Sequence, residues 1–180
     1  MSHSTPPPDE ADPSGAIDVE VSDTQSYFSP APGFVEAVTR AALSAQGVTR
    51  ASISVAVIDD ASIREINRRH LGHDWPTDVV SFPLSDPGDP ELSGELVVSA
   101  EMAVNSAREA GVPAGDELAL YLVHGLLHLC GYDDSDDESR ARMRRREDEV
   151  LTSLGLSNTF EAVSGAGATG LTRGASPWPV

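Results

Sequence analysis

At 180 residues, with 39% hydrophobic side chains, the chain fits one domain and carries enough apolar material for an ordinary core, which excludes a wholly disordered protein. Its 29 acids against 12 bases give a formal net charge of -17, and every base is arginine; this balance opposes unguided attraction to nucleic acid or an anionic membrane, so any RNA contact must rest on a local basic patch. Cys130 is the only cysteine, which excludes an internal disulfide, and the absence of a signal-like leader or a run of roughly 18 apolar residues leads us to expect a soluble, cytoplasmic protein.

Residues 1–16 are rich in Pro, Ser, Asp and Glu and lack apolar periodicity, so a disordered N-terminal tail is expected there, followed by a single domain over 17–155. Ile17, Val19 and Val21 alternate with Asp18 and Glu20 at the period of a half-buried strand. A proline-bearing turn at 29–33 opens a helix with Phe34, Val35, Val38, Ala41, Ala42 and Ala45 on its apolar side, ended by Gly47. Residues 52–57 alternate again as a second strand, and Asp59 or Asp60 caps a helix carrying Ile63 and Ile66. Gly72 and Pro76 break the next stretch before a strand at 79–82, bounded by Pro83; the polar turn at 86–91 leads to a strand at 95–99, its expected antiparallel neighbour. A third helix at 101–110 stops at Gly111 and Pro113, and Asp116 and Glu117 suit the start of a fourth. The last helix, 138–154, turns Met143, Val150, Leu151 and Leu154 inward, and residues 156–180 read as a flexible tail.

The fourth helix carries the chemistry, in the run His124-Gly-Leu-Leu-His128-Leu-Cys-Gly131-Tyr-Asp133-Asp134. Histidines four apart rise from one helix face and can direct their imidazoles at one ion. Gly131 lets the helix stop and the chain reverse, which brings two carboxylates back to the histidines; Asp134 is assigned as the third ligand, with Asp133 as the alternative. Two nitrogens and one oxygen leave a position open, the pattern of a catalytic zinc. The helix is apolar nearly all round over 118–129, so both histidines are expected to be largely buried, where an unpaired imidazole is costly. Zinc proteases place their general base directly after the first histidine, where this chain has Gly125. Cys130 projects away from the pair and reads as a small packing residue.

Elsewhere the simpler readings lead. The arginines at 140, 142, 144, 145 and 146, beside Glu147, Asp148 and Glu149, read as a solvated helix face. His70 and His73 read as surface or RNA-facing residues, and Asp78 as a turn cap or as an acid behind the ligands.

The histidine run and the stretch Pro76-Thr-Asp78-Val-Val-Ser-Phe-Pro83 together resemble one family, the YbeY group of bacterial metal-dependent endoribonucleases that mature ribosomal RNA, with Gly94-Glu-Leu-Val-Val-Ser99 as a looser match. The resemblance implies a small α/β fold in which a mixed four-stranded sheet packs with about five helices and the metal site lies on a central buried helix. It implies one zinc ion, single-stranded RNA as substrate, a role in 16S rRNA 3′-end maturation and ribosome quality control, and the ribosome or small-subunit proteins as partners. Two positions depart from the family pattern: Asp134 stands where a third histidine is usual, and Leu71 where an arginine is, leaving Arg68 and Arg69 as the candidates to hold RNA phosphate. The alternatives are a small zinc metallopeptidase and a non-catalytic ribosome-associated metal-binding factor.

Overall fold

The structure, a computed structural model, describes residues 16–157. The tails expected at 1–16 and 156–180 lie outside that range except at its margins, where Leu156 packs on the core and the backbone N–H of Ser157 donates to Asp116 at 2.9 Å. In chain order the elements are β1 (Ile17–Asp23), α1 (Phe34–Ala45), β2 (Ala51–Ile58), α2 (Asp60–His70), β3 (Val79–Pro83), β4 (Leu92–Ser99), α3 (Ala100–Ala110), α4 (Ala114–Leu129) and α5 (Asp137–Ser153). The strands form one sheet in the order β1-β2-β4-β3, with β1, β2 and β4 parallel and β3 antiparallel to β4. This is the mixed four-stranded α/β sheet expected above. β4 starts three residues earlier than the alternation suggested, because Leu92, Ser93 and Gly94 pair in register with Ala51, Ser52 and Ile53.

Side-chain alternation divides the layers. Ile53, Val55 and Val57 of β2, Leu96 and Val98 of β4, and Val79 of β3 face the main core with α1, α3 and α4, whereas Val80 and Val97 face the other way, onto Ile63 of α2. α4 is enclosed by the sheet, α1, α3 and α5, which is why its sequence is apolar nearly all round. Asp59 is the residue that caps α2, accepting from the Ser62 N–H at 2.8 Å, and Ser99 caps α3 by accepting from Met102 at 3.1 Å.

α4 lies unusually close to the sheet. A Cβ at Gly125 would come within 2.9 Å of both Leu96 Cδ2 and Val79 Cγ2, and one at Gly94 within 2.7 Å of Leu129 Cδ1. Gly125 therefore faces β3 and β4 and leaves no room for an acid at the position where zinc proteases carry their base. Alanine at an unconstrained helix position would gain about 1 kcal/mol over glycine, but overpacking costs roughly 1–3 kcal/mol. Gly125→Ala is thus expected to be net destabilising, read as a lower urea midpoint at unchanged slope; a raised midpoint would mean that α4 can lift from the sheet at no cost.

Candidate metal centre

Two loops and two helices bring the site together. At the end of α4, Gly131 takes φ 87°, and the turn closes with Tyr132 N–H donating to Leu127 O at 3.0 Å and Gly131 N–H to His128 O at 2.9 Å, the paired bonds of a Schellman stop. The chain then reverses through 132–136 into α5, whose start is fixed by a reciprocal cap: Asp136 accepts from the N–H groups of Glu138 and Ser139 at 2.8 Å, and Ser139 Oγ accepts from the Asp136 N–H at 3.2 Å. Arg140 donates to the carbonyl of Asp134 at 3.1 Å and ties the reversed loop to α5. On the opposite side, buried Asn67 donates to Trp75 O at 2.9 Å and to Thr77 Oγ1 at 3.1 Å, anchoring the loop that delivers Asp78.

His124, His128 and Asp134 meet in this frame, with one donor atom from each lying within 4.8 Å of the others. Both imidazoles are oriented from behind. His128 Nδ1 is 3.0 Å from the carbonyl of Tyr132, which can only accept, so Nδ1 carries the proton. His124 Nδ1 is 2.7 Å from Glu147 Oε1 and donates to it. With the proton of each neutral ring on Nδ1, each Nε2 is free to present a lone pair to an ion, and the two Nε2 atoms are 3.2 Å apart. In the metal-free protein one proton shared between the two nitrogens satisfies that contact, and the same spacing suits a shared ion: at zinc–nitrogen bonds of 2.0–2.1 Å, two ligand nitrogens on a tetrahedral ion stand about 3.3 Å apart. Asp134 Oδ1, 3.9 Å from His128 Nε2, completes a set of two imidazoles and one carboxylate that fits a metal ion with an open position.

The histidine side chains are largely buried, as expected, at 21% and 23% exposure. Burial works against a charge on His124, but the Glu147 hydrogen bond and charge, with Asp78 and Asp134 beyond, outweigh it and hold that imidazole above its ordinary value. Burial, and then the charge of His124, push His128 down, toward the neutral form that a ligand needs. The two adjacent carboxylates have separate duties. Asp133 Oδ1 accepts from the N–H groups of Asp134 and Ser135 at 2.8 and 3.2 Å, and Oδ2 accepts from Ser135 Oγ, whereas Asp134 is buried and turned to the histidines.

Other expected residues lie apart from this cluster. Arg68 and Arg69 are on α2, which packs on the opposite face of the sheet, and both guanidiniums bind Glu65, at 2.8 and 2.6 Å. Leu71 packs against the apolar cluster of Ile63, Val80 and Val97. His70 stacks edgewise on Phe82 and His73 against Trp75. Asp78 Oδ1 accepts from the Val79 N–H at 2.9 Å, so it serves as a turn cap while its charge still reaches His124. In the arginine run, Arg140 and Arg142 pair with Asp137 and Glu138 at 2.8 Å, and Arg146 pairs with Glu149 and crosses to Gln46 and Ala45 of α1. The correction in that segment is Glu147, read above as part of a solvated face and in fact 2% exposed. Its spacing from Met143 and Val150 places it on the inward stripe of α5, and that signal was present in the sequence.

Cys130 packs at the rim of the core, outside the donor cluster, and burial pushes its thiol up to about 11. A free cysteine titrates near 8.5, so at pH 7.5 the thiolate fraction should be lower by roughly two orders of magnitude. Alkylation by iodoacetamide is expected to be slower than for a free thiol by about that factor and to rise about tenfold per pH unit up to pH 9–10. A plateau near pH 8.5 would contradict the burial.

Among the described residues no helix is long and apolar enough to cross a membrane. The family profile described as Endoribonuclease YbeY matches residues 19–155. The chain is 46% identical over 119 residues to "Endoribonuclease YbeY" of Rhodopirellula baltica, an alignment covering 64% of this chain and 60% of that protein's length. It is 41% identical over 130 residues to the protein of the same name from Moorella thermoacetica (66% of this chain, 83% of the relative) and 39% identical over 148 residues to that of Pelotomaculum thermopropionicum (77% and 97%). The solution structure of TM1509 from Thermotoga maritima superposes with a TM-score of 0.54 at 23% identity, covering 76% of this chain and 91% of that one, a likeness of fold. With more than half of its length under the family profile, including the elements that bring His124, His128 and Asp134 together, the chain belongs to the endoribonuclease YbeY family.

Proposed function

We propose that the protein is a zinc-dependent endoribonuclease that cleaves single-stranded RNA, with His124, His128 and Asp134 holding one ion. The observation that carries the reading is the convergence of His124 Nε2, His128 Nε2 and an Asp134 carboxylate oxygen, with the two nitrogens 3.2 Å apart and each ring held by a hydrogen bond at Nδ1, in a chain of this family. At such a three-ligand site zinc supplies Lewis acidity, acidifying water toward a pKa of about 7 and polarising a phosphoryl oxygen. The chain's own residues do the rest: Glu147 and the Tyr132 carbonyl fix the two imidazoles, the Asp133 turn and Arg140 hold the loop of Asp134, and Asn67 fixes the approach to Asp78. The finer reading, action in 16S rRNA 3′-end maturation and ribosome quality control in the cytoplasm, with ribosomal small-subunit proteins as partners, extends the family's activity to this chain. Zinc-loaded protein is expected to cut single-stranded RNA, to stop on chelation, to recover on zinc addition, and to leave casein intact. Casein cleavage would favour the metallopeptidase reading, which the contact of Gly125 with the sheet disfavours.

One observation supports a second reading, a ribosome-associated metal-binding factor without nuclease action. Leu71 lies in an apolar cluster, and Arg68 and Arg69 are paired with Glu65 on the far face of the sheet. If Arg68 and Arg69 nevertheless hold RNA, replacing both with alanine should weaken single-stranded RNA binding and lessen its salt dependence by about two charges. Unchanged affinity in that double variant would move the phosphate contact elsewhere; retained RNA or ribosome binding without cleavage by the wild-type protein would favour the second reading.

A further inference from the structure

We infer that Glu147 is the positioning residue of this metal centre: its buried carboxylate holds the His124 ring in the tautomer and orientation that turn Nε2 toward the ion. The inference rests on the reading of His124 as a ligand and assigns a task to a residue of another helix, 23 positions further along the chain.

Four observations converge on it. Glu147 Oε1 is 2.7 Å from His124 Nδ1, and the side chain is 2% exposed, so water does not share the contact. Its other oxygen, Oε2, accepts no hydrogen bond among the described residues. Arg146, its neighbour in the chain, turns away from it to Gln46, Ala45 and Glu149. The side chain sits between Met143 and Val150 on the stripe of α5 that packs into the core, so its position is set by the same contacts that dock α5 on α4. A buried carboxylate without a compensating positive charge is costly, and a half-used one is more so. The charge this one is built against is the imidazole and the cation beyond it.

The two histidines are thus buttressed unequally. His128 leans on the neutral carbonyl of Tyr132, a local bond within the helix stop, while His124 leans on a full negative charge from a separate element. A carboxylate behind a ligating imidazole makes its far nitrogen a stronger donor and fixes which nitrogen binds, and removing such a partner typically costs 10–100-fold in metal affinity. α5 therefore belongs to the metal centre as well as to the fold.

The test measures zinc affinity by chelator competition for wild type, Glu147→Gln, Glu147→Ala and the surface control Glu149→Gln, with thermal melts of the metal-free proteins alongside. Glu147→Gln keeps the volume and one acceptor for Nδ1 but removes the charge; it is expected to bind zinc about 10-fold more weakly, Glu147→Ala about 100-fold, and Glu149→Gln as wild type does. A cobalt-loaded sample should show an altered ligand-field spectrum in the Gln variant, which loss of packing alone would not produce. Glu147→Gln with wild-type zinc affinity and spectrum, whatever its melting temperature, overturns the inference. Should that variant not fold, wild-type protein loaded with zinc still decides: nitrogen-15 spectra are expected to show His124 with a proton on Nδ1 and the metal on Nε2, and the reverse tautomer overturns the assignment. Wild-type protein that fails to bind zinc, with or without Glu147, overturns the metal-centre reading itself, so the two failures are distinguishable.

Discussion

His128→Ala and His124→Ala should each release the zinc and abolish RNA cleavage, but only the second should also damage the fold. Four-ligand structural zinc sites bind with about 10–16 kcal/mol, so each ligand in such a set accounts for several kcal/mol, and losing one of three should weaken binding on the order of a thousandfold. Elemental analysis after gel filtration reads this directly, and full occupancy in both variants would remove these residues from the ligand set. The stability difference follows from what each ring leaves behind. His128 bonds to a backbone carbonyl at a helix end, where water can replace it. Among the described residues His124 is the hydrogen-bond partner of a Glu147 carboxylate that is 2% exposed and whose second oxygen has none, and stripping a buried ion of its partner costs about 3–5 kcal/mol. Metal-free His124→Ala should therefore unfold at markedly lower urea than metal-free His128→Ala; equal midpoints would mean that the Glu147 carboxylate finds another partner.

How much of this was legible in the sequence depends on the kind of signal each residue leaves. The nine elements of the described residues follow from alternation, helical spacing and the glycines and prolines between them: β1 and β2 alternate in burial, while β3 and β4 show as short apolar runs between turn residues. The histidine pair was legible for the same reason, since spacing of four places two rings on one helix face whatever surrounds them. Glu147 was not, because it stands in a run of charged residues from Arg144 to Glu149 whose composition reads as solvent-facing, and only its phase relative to Met143 and Val150 sets it apart. Gly125 could be seen to lack a protease base, but the reason for a glycine there, the side chains of Leu96 and Val79 each 2.9 Å from any added Cβ, is a contact between elements distant in sequence that no local pattern carries. Arg68 and Arg69 were candidates by nearness in sequence to Leu71; which side of the sheet α2 covers is a property of the assembled layers.

The choice between adjacent carboxylates is the point at which sequence and structure differ most in resolving power, and it leads to the second large effect. Asp133→Ala should leave zinc in place, because its oxygens cap the turn through Asp134 N–H and Ser135 and are held away from the histidines; the loss is in local order of the loop. Asp134→Ala should release zinc nearly as fully as the histidine variants do, since the buried carboxylate lies 3.9 Å from His128 Nε2 and no other acid joins that donor cluster among the described residues. Zinc retained in Asp134→Ala and lost in Asp133→Ala would reverse the assignment. A carboxylate ligand offsets one charge of the dication, so an ion held by Asp134 should acidify water less than one held by three neutral imidazoles. Asp134→His should keep the metal and move the rising limb of the pH–activity profile toward lower pH. An unmoved limb, with zinc still bound, would mean that the titration governing cleavage belongs to a group other than the water acidified at this site.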